Sequence, residues 1–231
     1  MIFYRRIIST LVLTSILIAS CSNATEETSS NIHPAIVMEQ DRVIHTARQI
    51  VPVSQVPALD AYLSKEQYTK IEFDRLQVSS IYDTNQVEVV RVGYGCGNKM
   101  CQNVLVQVKD NETLSLELPE SIYMDSLLLQ SQYDTRALIQ YGYDEGNVNR
   151  SGIVGIDLDT FQILKITDED IEKLMGQIPI QEKTWIDAQT IELMIADVPD
   201  GSFEALKVWY DILNKEPSKA PTRKVIVTFT T

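Results

Sequence analysis

Gln86-Val87-Glu88-Val89-Val90-Arg91-Val92, then Val104-Leu105-Val106-Gln107-Val108 and Leu114-Ser115-Leu116-Glu117-Leu118, form the stretch that decides the fold. β-Branched residues dominate the first two runs, and the third alternates cleanly before Pro119. Such segments fit a pleated surface on which successive side chains point to opposite faces. Turn formers separate them: Gly93-Tyr94-Gly95-Cys96-Gly97-Asn98, and Lys109-Asp110-Asn111-Glu112-Thr113. Glycine and Asx residues supply the backbone conformations of tight turns. The pattern predicts antiparallel hairpins, with Leu76-Gln77-Val78 as a strand ahead of them.

Outward from this stretch the pattern returns. Tyr82-Asp83-Thr84 recurs as Tyr133-Asp134-Thr135, 51 residues on. Each copy sits between two apolar runs, Leu76 to Ile81 then Val87 to Val92, and Leu127 to Leu129 then Ala137 to Tyr141. Gly93-Tyr94 returns as Gly142-Tyr143, and the turn from Asp110 to Leu114 returns from Asp157 to Phe161. A looser third copy begins at Trp185-Ile186-Asp187, runs through Thr190 to Ile195 and ends with Val225 to Phe229. The expected fold is mainly β: antiparallel hairpins in about three repeats of ~50 residues, arranged as a propeller or a β-sandwich. A closed propeller needs at least four blades, which makes the sandwich, or a curled sheet, a full rival.

Helices are expected mainly at the N-terminal side. Residues 34–51 place Ile36, Val37, Val43, Ile44, Ala47, Ile50 and Val51 at helical spacing, and Pro52 ends the run. His45 falls on the polar face of that helix with Asp41 one turn away, as a solvated residue. A second short helix follows Ser54, with Pro57 early and Leu59, Tyr62 and Leu63 inward, and Ser64-Lys65-Glu66-Gln67 has the form of a capping box. Thr167-Asp168-Glu169-Asp170 opens a further helix capped by Thr167 and ended by Gly176. Residues 202–215 fit helix and strand alike; the two-hairpin unit assigns them to strand. The organisation is 1–20 signal, 21–32 tether, 33–70 helical segment and 71–231 β-rich domain.

The start of the chain carries an address. Arg5 and Arg6 precede Ile7 to Ile18, an apolar run of 12 residues, and then Ile18-Ala19-Ser20-Cys21. The run is too short to span a bilayer, which takes about 20 residues, and the order is that of a secretory signal. Small residues before a cysteine resemble the lipobox of bacterial lipoproteins. That resemblance implies cleavage before Cys21, a thioether-linked diacylglycerol on it and a further acyl chain on the new amine. Two or more chains anchor stably. Ser22 in place of Asp implies, by the same resemblance, the outer membrane facing the periplasm. Residues 22–31 hold nothing aromatic or branched and apolar, and serve as a tether of about 20 Å.

Lys and Arg number 20 against 32 Asp and Glu, for a net charge of −12. Loss of residues 1–20 removes Arg5 and Arg6 and no acid, leaving 18 against 32, or −14. So acidic a chain lacks the basic surface that nucleic acid requires. In the oxidising periplasm Cys96 and Cys101 are expected to form a disulfide. Their spacing is not that of a Cys-x-x-Cys redox pair, and no further ligands lie near for a metal.

No nucleophile elbow, zinc motif, phosphate loop or dinucleotide fingerprint occurs, so no catalytic residue, metal ligand or cofactor is assigned. The residues 144–149 could gather oxygen ligands for calcium but lack the full loop spacing. Tyr133, Tyr141 and Tyr143 are the candidate binding residues, since tyrosine joins apolar area to a polar tip. Ordinary packing across a sheet is the competing account of them. The expected function is a lipid-anchored, non-catalytic envelope protein that binds another envelope protein. The alternatives are a small-molecule or glycan binder, and an acid-based cell-wall hydrolase.

Overall fold

The computed structural model describes residues 42–65, 69–124, 127–129, 135–144 and 148–231. These residues all belong to one compact unit. It is mainly β and its sheets are antiparallel throughout.

The first sheet is a four-stranded meander of β3 (Gln77–Asp83), β4 (Val87–Tyr94), β5 (Cys101–Lys109) and β6 (Glu112–Ser121). The decisive stretch therefore folds as read, with Val87 opposite Lys109 and Lys109 opposite Glu112. The central strands are buried on both faces, which is why they read as nearly continuous apolar runs. One face presents Val90, Val92, Val104 and Val106 to Leu59 and Leu63 of α1 (Pro57–Lys65). The other presents Val89, Leu105 and Leu118 to Ala137, Ile139, Val154 and Ile156 of the second sheet. Each such side chain, fully buried, contributes roughly 1.5–3 kcal/mol.

Ile44 and Val51 also close the first core, but not from a helix. Within residues 34–51, expected as one helix, Val43–His45 is β1 and Ile50–Pro52 is β2, paired antiparallel. Residues 34–41 lie outside the described ones. The same apolar residues satisfy both periods. The β-branched content of Val43, Ile44, Ile50 and Val51 favours the strand, and a turn at Thr46–Gln49 closes the hairpin. His45 is exposed, as expected, but on β1. Downstream of α1 comes the short α2 (Thr69–Asp74). Ser64 lies inside α1, and residues 66–68 of the capping-box pattern lie outside the described ones.

The chain leaves β6 and changes sheets at Ile122, whose N–H donates to Gly142 O at 2.8 Å. The second sheet has eight strands, in the order β12, β13, β14, β11, β10, β9, β7, with β8 also on β9. They are β7 (Tyr123–Met124), β8 (Leu128–Leu129), β9 (Arg136–Asp144), β10 (Asn149–Asp157), β11 (Gln162–Ile166), β12 (Ile180–Trp185), β13 (Thr190–Ala196) and β14 (Thr222–Thr230). The sheet curls, so that β12 returns over β8 and β9. Gln140 Nε2 donates to Ile180 O (3.2 Å), Trp185 Nε1 to Leu128 O (3.1 Å) and Arg136 Nη1 to Ala188 O (2.6 Å). Inside the curl Leu138, Ile153, Leu164, Ile191, Leu193, Val227 and Phe229 form the largest core.

Two helices complete the second sheet. In α3 (Glu169–Leu174) the cap is Asp168 rather than Thr167: its carboxylate accepts from Asp170 N (2.9 Å) and Ile171 N (3.2 Å). Gly176 follows with φ +79, which favours glycine. Residues 202–215, assigned to strand from the sequence, are helical: α4 is Phe203–Lys215, capped by Ser202. Leu206 and Trp209 are its buried residues, three apart on one face. The span expected as a third copy, from Trp185 on, thus holds β13 and β14 with α4 between them. Strands β11 and β14 pair at Lys165–Ile166, joining what separate propeller blades would keep apart.

Candidate functional site

One concavity in the second sheet is a split between two of its strands. The β10–β11 ladder ends at Gly155 opposite Leu164. From there β11 turns away to pair with β14 through Lys165 and Ile166. Farther along β10, Ser151 bonds instead to the segment after α3: its N–H donates to Ile178 O, and its C=O accepts from Gly176 N. The main chain of Ile153, between these two partners, faces the same way by the alternation of an antiparallel strand, into the opening.

Tyr141 reaches this split from the neighbouring strand. It stands on β9 opposite Gly152 of β10. A Cβ at position 152 would fall on the Tyr141 ring, within 2.9 Å of Cε1, so only glycine lets the ring lie across β10. The ring then forms one wall of a cleft of about 360 Å³, whose other walls include Ile163, Lys165, Glu172, Met175 and Phe229. The volume lies within the range of small-ligand sites. Lys165 and Glu172 bring one charge of each sign, among side chains that are otherwise apolar but for the Tyr141 hydroxyl.

Behind Tyr141 stands Tyr143, with ring centroids 6.4 Å apart and planes at 20°. Its hydroxyl donates to Gly176 O, so it is tied to the turn after α3. Burial, and secondarily the neighbouring Tyr143, raise the Tyr141 pKa above its ordinary value. The phenol therefore stays protonated at neutral pH, able both to donate and to accept a hydrogen bond.

The structure brings Tyr141 and Tyr143 together, and Tyr133 lies outside the described residues, as does Cys21. Cys96 and Cys101 form the expected disulfide at the end of the β4–β5 hairpin. It lies beside α1 and α2: Arg75 Nη2 donates to Cys96 O at 3.2 Å, and the Tyr62 ring covers Gly95. Residues 145–147 of the possible calcium loop lie outside the described ones. Asp157 and Asp159 are turn residues as expected, Asp157 Oδ1 accepting from Asp159 N and Thr160 N. Among the described residues no cluster of three or more His, Cys, Asp or Glu is placed to hold a metal.

Sequence reasoning named Tyr141 but missed Gly152, Lys165, Glu172 and Met175. The one available signal was the Gly152-x-x-Gly155 spacing in an otherwise apolar strand, a mark of close approach by another group. Compared with protein-family models, curated proteins and solved structures, the chain matches none.

Proposed function

We propose that this chain is a lipid-anchored, non-catalytic binding protein of the bacterial envelope that takes a neutral glycan in the Tyr141 cleft. Ile18-Ala19-Ser20-Cys21 supports the location, with the lipid on Cys21 and the domain held at the outer membrane, facing the periplasm. The observation that carries the binding role is the Tyr141 ring, held across Gly152 as a wall of the split. An aromatic face suits the C–H face of a sugar ring, and the Ile153 backbone, Lys165 and Glu172 offer partners for hydroxyl groups. The net charge of −14 left after loss of residues 1–20 opposes anionic ligands.

Tyr141→Ala is expected to weaken binding of an N-acetylglucosamine tetrasaccharide at least tenfold, and Tyr141→Phe far less, by calorimetry. Equal affinity in all three proteins would remove the cleft from the account. Because the phenol keeps its proton, affinity is expected to stay level between roughly pH 6 and 9. Cys21→Ser is expected to move the protein from the membrane to the soluble fraction; a variant that still sediments with membranes in detergent-free buffer contradicts the lipid anchor.

A second reading, an envelope protein as partner, is favoured by the flank of α4. There Val208 is 61% exposed beside Ile212, in a groove of about 440 Å³ that Lys215 and Lys219 border.

We also propose that β3–β6 and β8–β11 are copies of one unit of ~50 residues. Both are four-stranded antiparallel meanders, both carry Gly-Tyr near the end of the second strand, and both turn at an aspartate between the last two.

A further inference from the structure

We propose a second seat for a neutral polyhydroxyl ligand, in the hollow where three hairpin turns meet at one end of the first sheet. The choice of probe rests on the glycan reading above; the geometry of the hollow does not. The turns are Thr46–Gln49 between β1 and β2, Thr84–Gln86 between β3 and β4, and Asp110-Asn111 between β5 and β6. They enclose about 270 Å³ above Val108, which is 2% exposed. At about 30 Å³ per water this is room for about nine waters, or one sugar ring.

The walls are held in place from behind. Arg48 N–H donates to Glu88 Oε2 at 3.1 Å, and Glu88 is 1% exposed. The Arg48 guanidinium is fixed by Asp83 Oδ1 (2.9 Å) and Asn85 O (3.2 Å). Gln49 Nε2 donates to Thr113 Oγ1 at 2.9 Å, which orients that carboxamide. Among the described residues, the carboxamides of Asn85, Gln86 and Asn111 bond to no other side chain or backbone group, and all three line the hollow. A carboxamide sets a donor beside an acceptor, the arrangement that matches neighbouring hydroxyls of a sugar. The Arg48 charge is already met by Asp83, so an anion gains little there.

Asp110 and Asn111 have φ of +51 and +67, the conformation of a two-residue hairpin turn in which glycine is preferred second. The chain places asparagine there instead. Asparagine also tolerates this left-handed conformation, and at position 111 it puts a carboxamide on the rim of the hollow.

The same feature gives a clean variant. Asn111→Gly restores the preferred Asp-Gly turn while removing the carboxamide, and Gln86→Ala removes an exposed one. The full lipidated chain in detergent is titrated with the N-acetylglucosamine tetrasaccharide by calorimetry, with thermal unfolding as the control on folding. Two sites per chain are expected. The Asn111→Gly, Gln86→Ala double variant is expected to unfold at or above the parent temperature and to keep one site. Affinity for a long soluble polymer of the same sugar is expected to fall at least tenfold, since linked sites reinforce each other. Unchanged stoichiometry in the double variant overturns the hollow. A single site abolished by Tyr141→Ala also overturns it, and leaves the cleft standing. A single site abolished only by the double variant supports the hollow and overturns the cleft. Absence of heat with every form overturns both.

Discussion

Trp209→Ala is expected to lower the stability of the fold by about 3–5 kcal/mol, the range for deleting a large buried aromatic. The ring is 1% exposed and meets Tyr210 edge-on at 5.0 Å. Its Nε1 donates to Pro221 O at 2.7 Å, tying the middle of α4 to the chain just before β14. Pro221 O also accepts from Asp197 N, so truncation leaves no orphaned carbonyl and the loss is chiefly a cavity. Trp209→Phe separates the terms: it keeps most of the apolar bulk, and is expected to lose only about 1–2 kcal/mol. For a domain of this size 3–5 kcal/mol lowers the unfolding midpoint by roughly 6–20 °C. Urea unfolding reads it directly. A loss below about 1 kcal/mol for the alanine variant would falsify the packing of α4 described here.

That prediction also marks where the sequence is ambiguous. Leu206, Val208, Tyr210 and Ile212 alternate as a strand would, and Leu206, Trp209 and Leu213 recur as a helix would. Extending the two-hairpin unit to this stretch favours the strand. Ser202 is the local signal that decides otherwise, since its hydroxyl accepts from Ala205 N at the first turn. Residues 43–51, read as part of a helix over 34–51, fail in the opposite direction: Ile44 and Val51, seven apart, satisfy a period of 3.6, although they face one core from paired strands. Strands β4 and β5 were legible because burial on both faces goes with a valine-rich sequence, Val87 to Val92 and Val104 to Val108.

The cleft was only half legible, for a topological reason. Tyr141 stands out by residue type, but the opening beside it exists because β11 exchanges one partner strand for another at Leu164–Lys165. Nothing local in Gln162–Ile166 encodes that exchange; it depends on β14, more than fifty residues later. The hollow at the hairpin ends is non-local in the same way, joining turns near residues 48, 85 and 110. Turn chemistry predicts each turn separately and says nothing of their meeting.

Glu88→Ala is expected to cost about 2–4 kcal/mol and to act on the β1–β2 hairpin, which precedes it in the sequence. Glu88 stands on β4 with 1% exposure, on the face that α1 and β1–β2 cover. Its Oε1 accepts from Ala47 N at 3.2 Å and its Oε2 from Arg48 N at 3.1 Å. These are charge-assisted bonds, each worth about 1.5–3 kcal/mol, and they hold the β1–β2 turn against the sheet. Glu88→Gln keeps the shape but turns an NH₂ toward one backbone N–H, so it is expected to recover less than half of the loss. Hydrogen exchange separates this role from generic destabilisation. The amides of Ala47 and Arg48 are expected to exchange much faster in both variants under native conditions, while those of Val104 to Val108 keep the parent order of protection. Uniform acceleration across β5 would instead mean that Glu88 supports the whole sheet. Because the same carboxylate fixes Arg48 beside Asp83 and Asn85, loosening it also frees one wall of the hollow. Binding there is therefore expected to weaken in Glu88→Gln while binding in the Tyr141 cleft, on the second sheet, is unchanged.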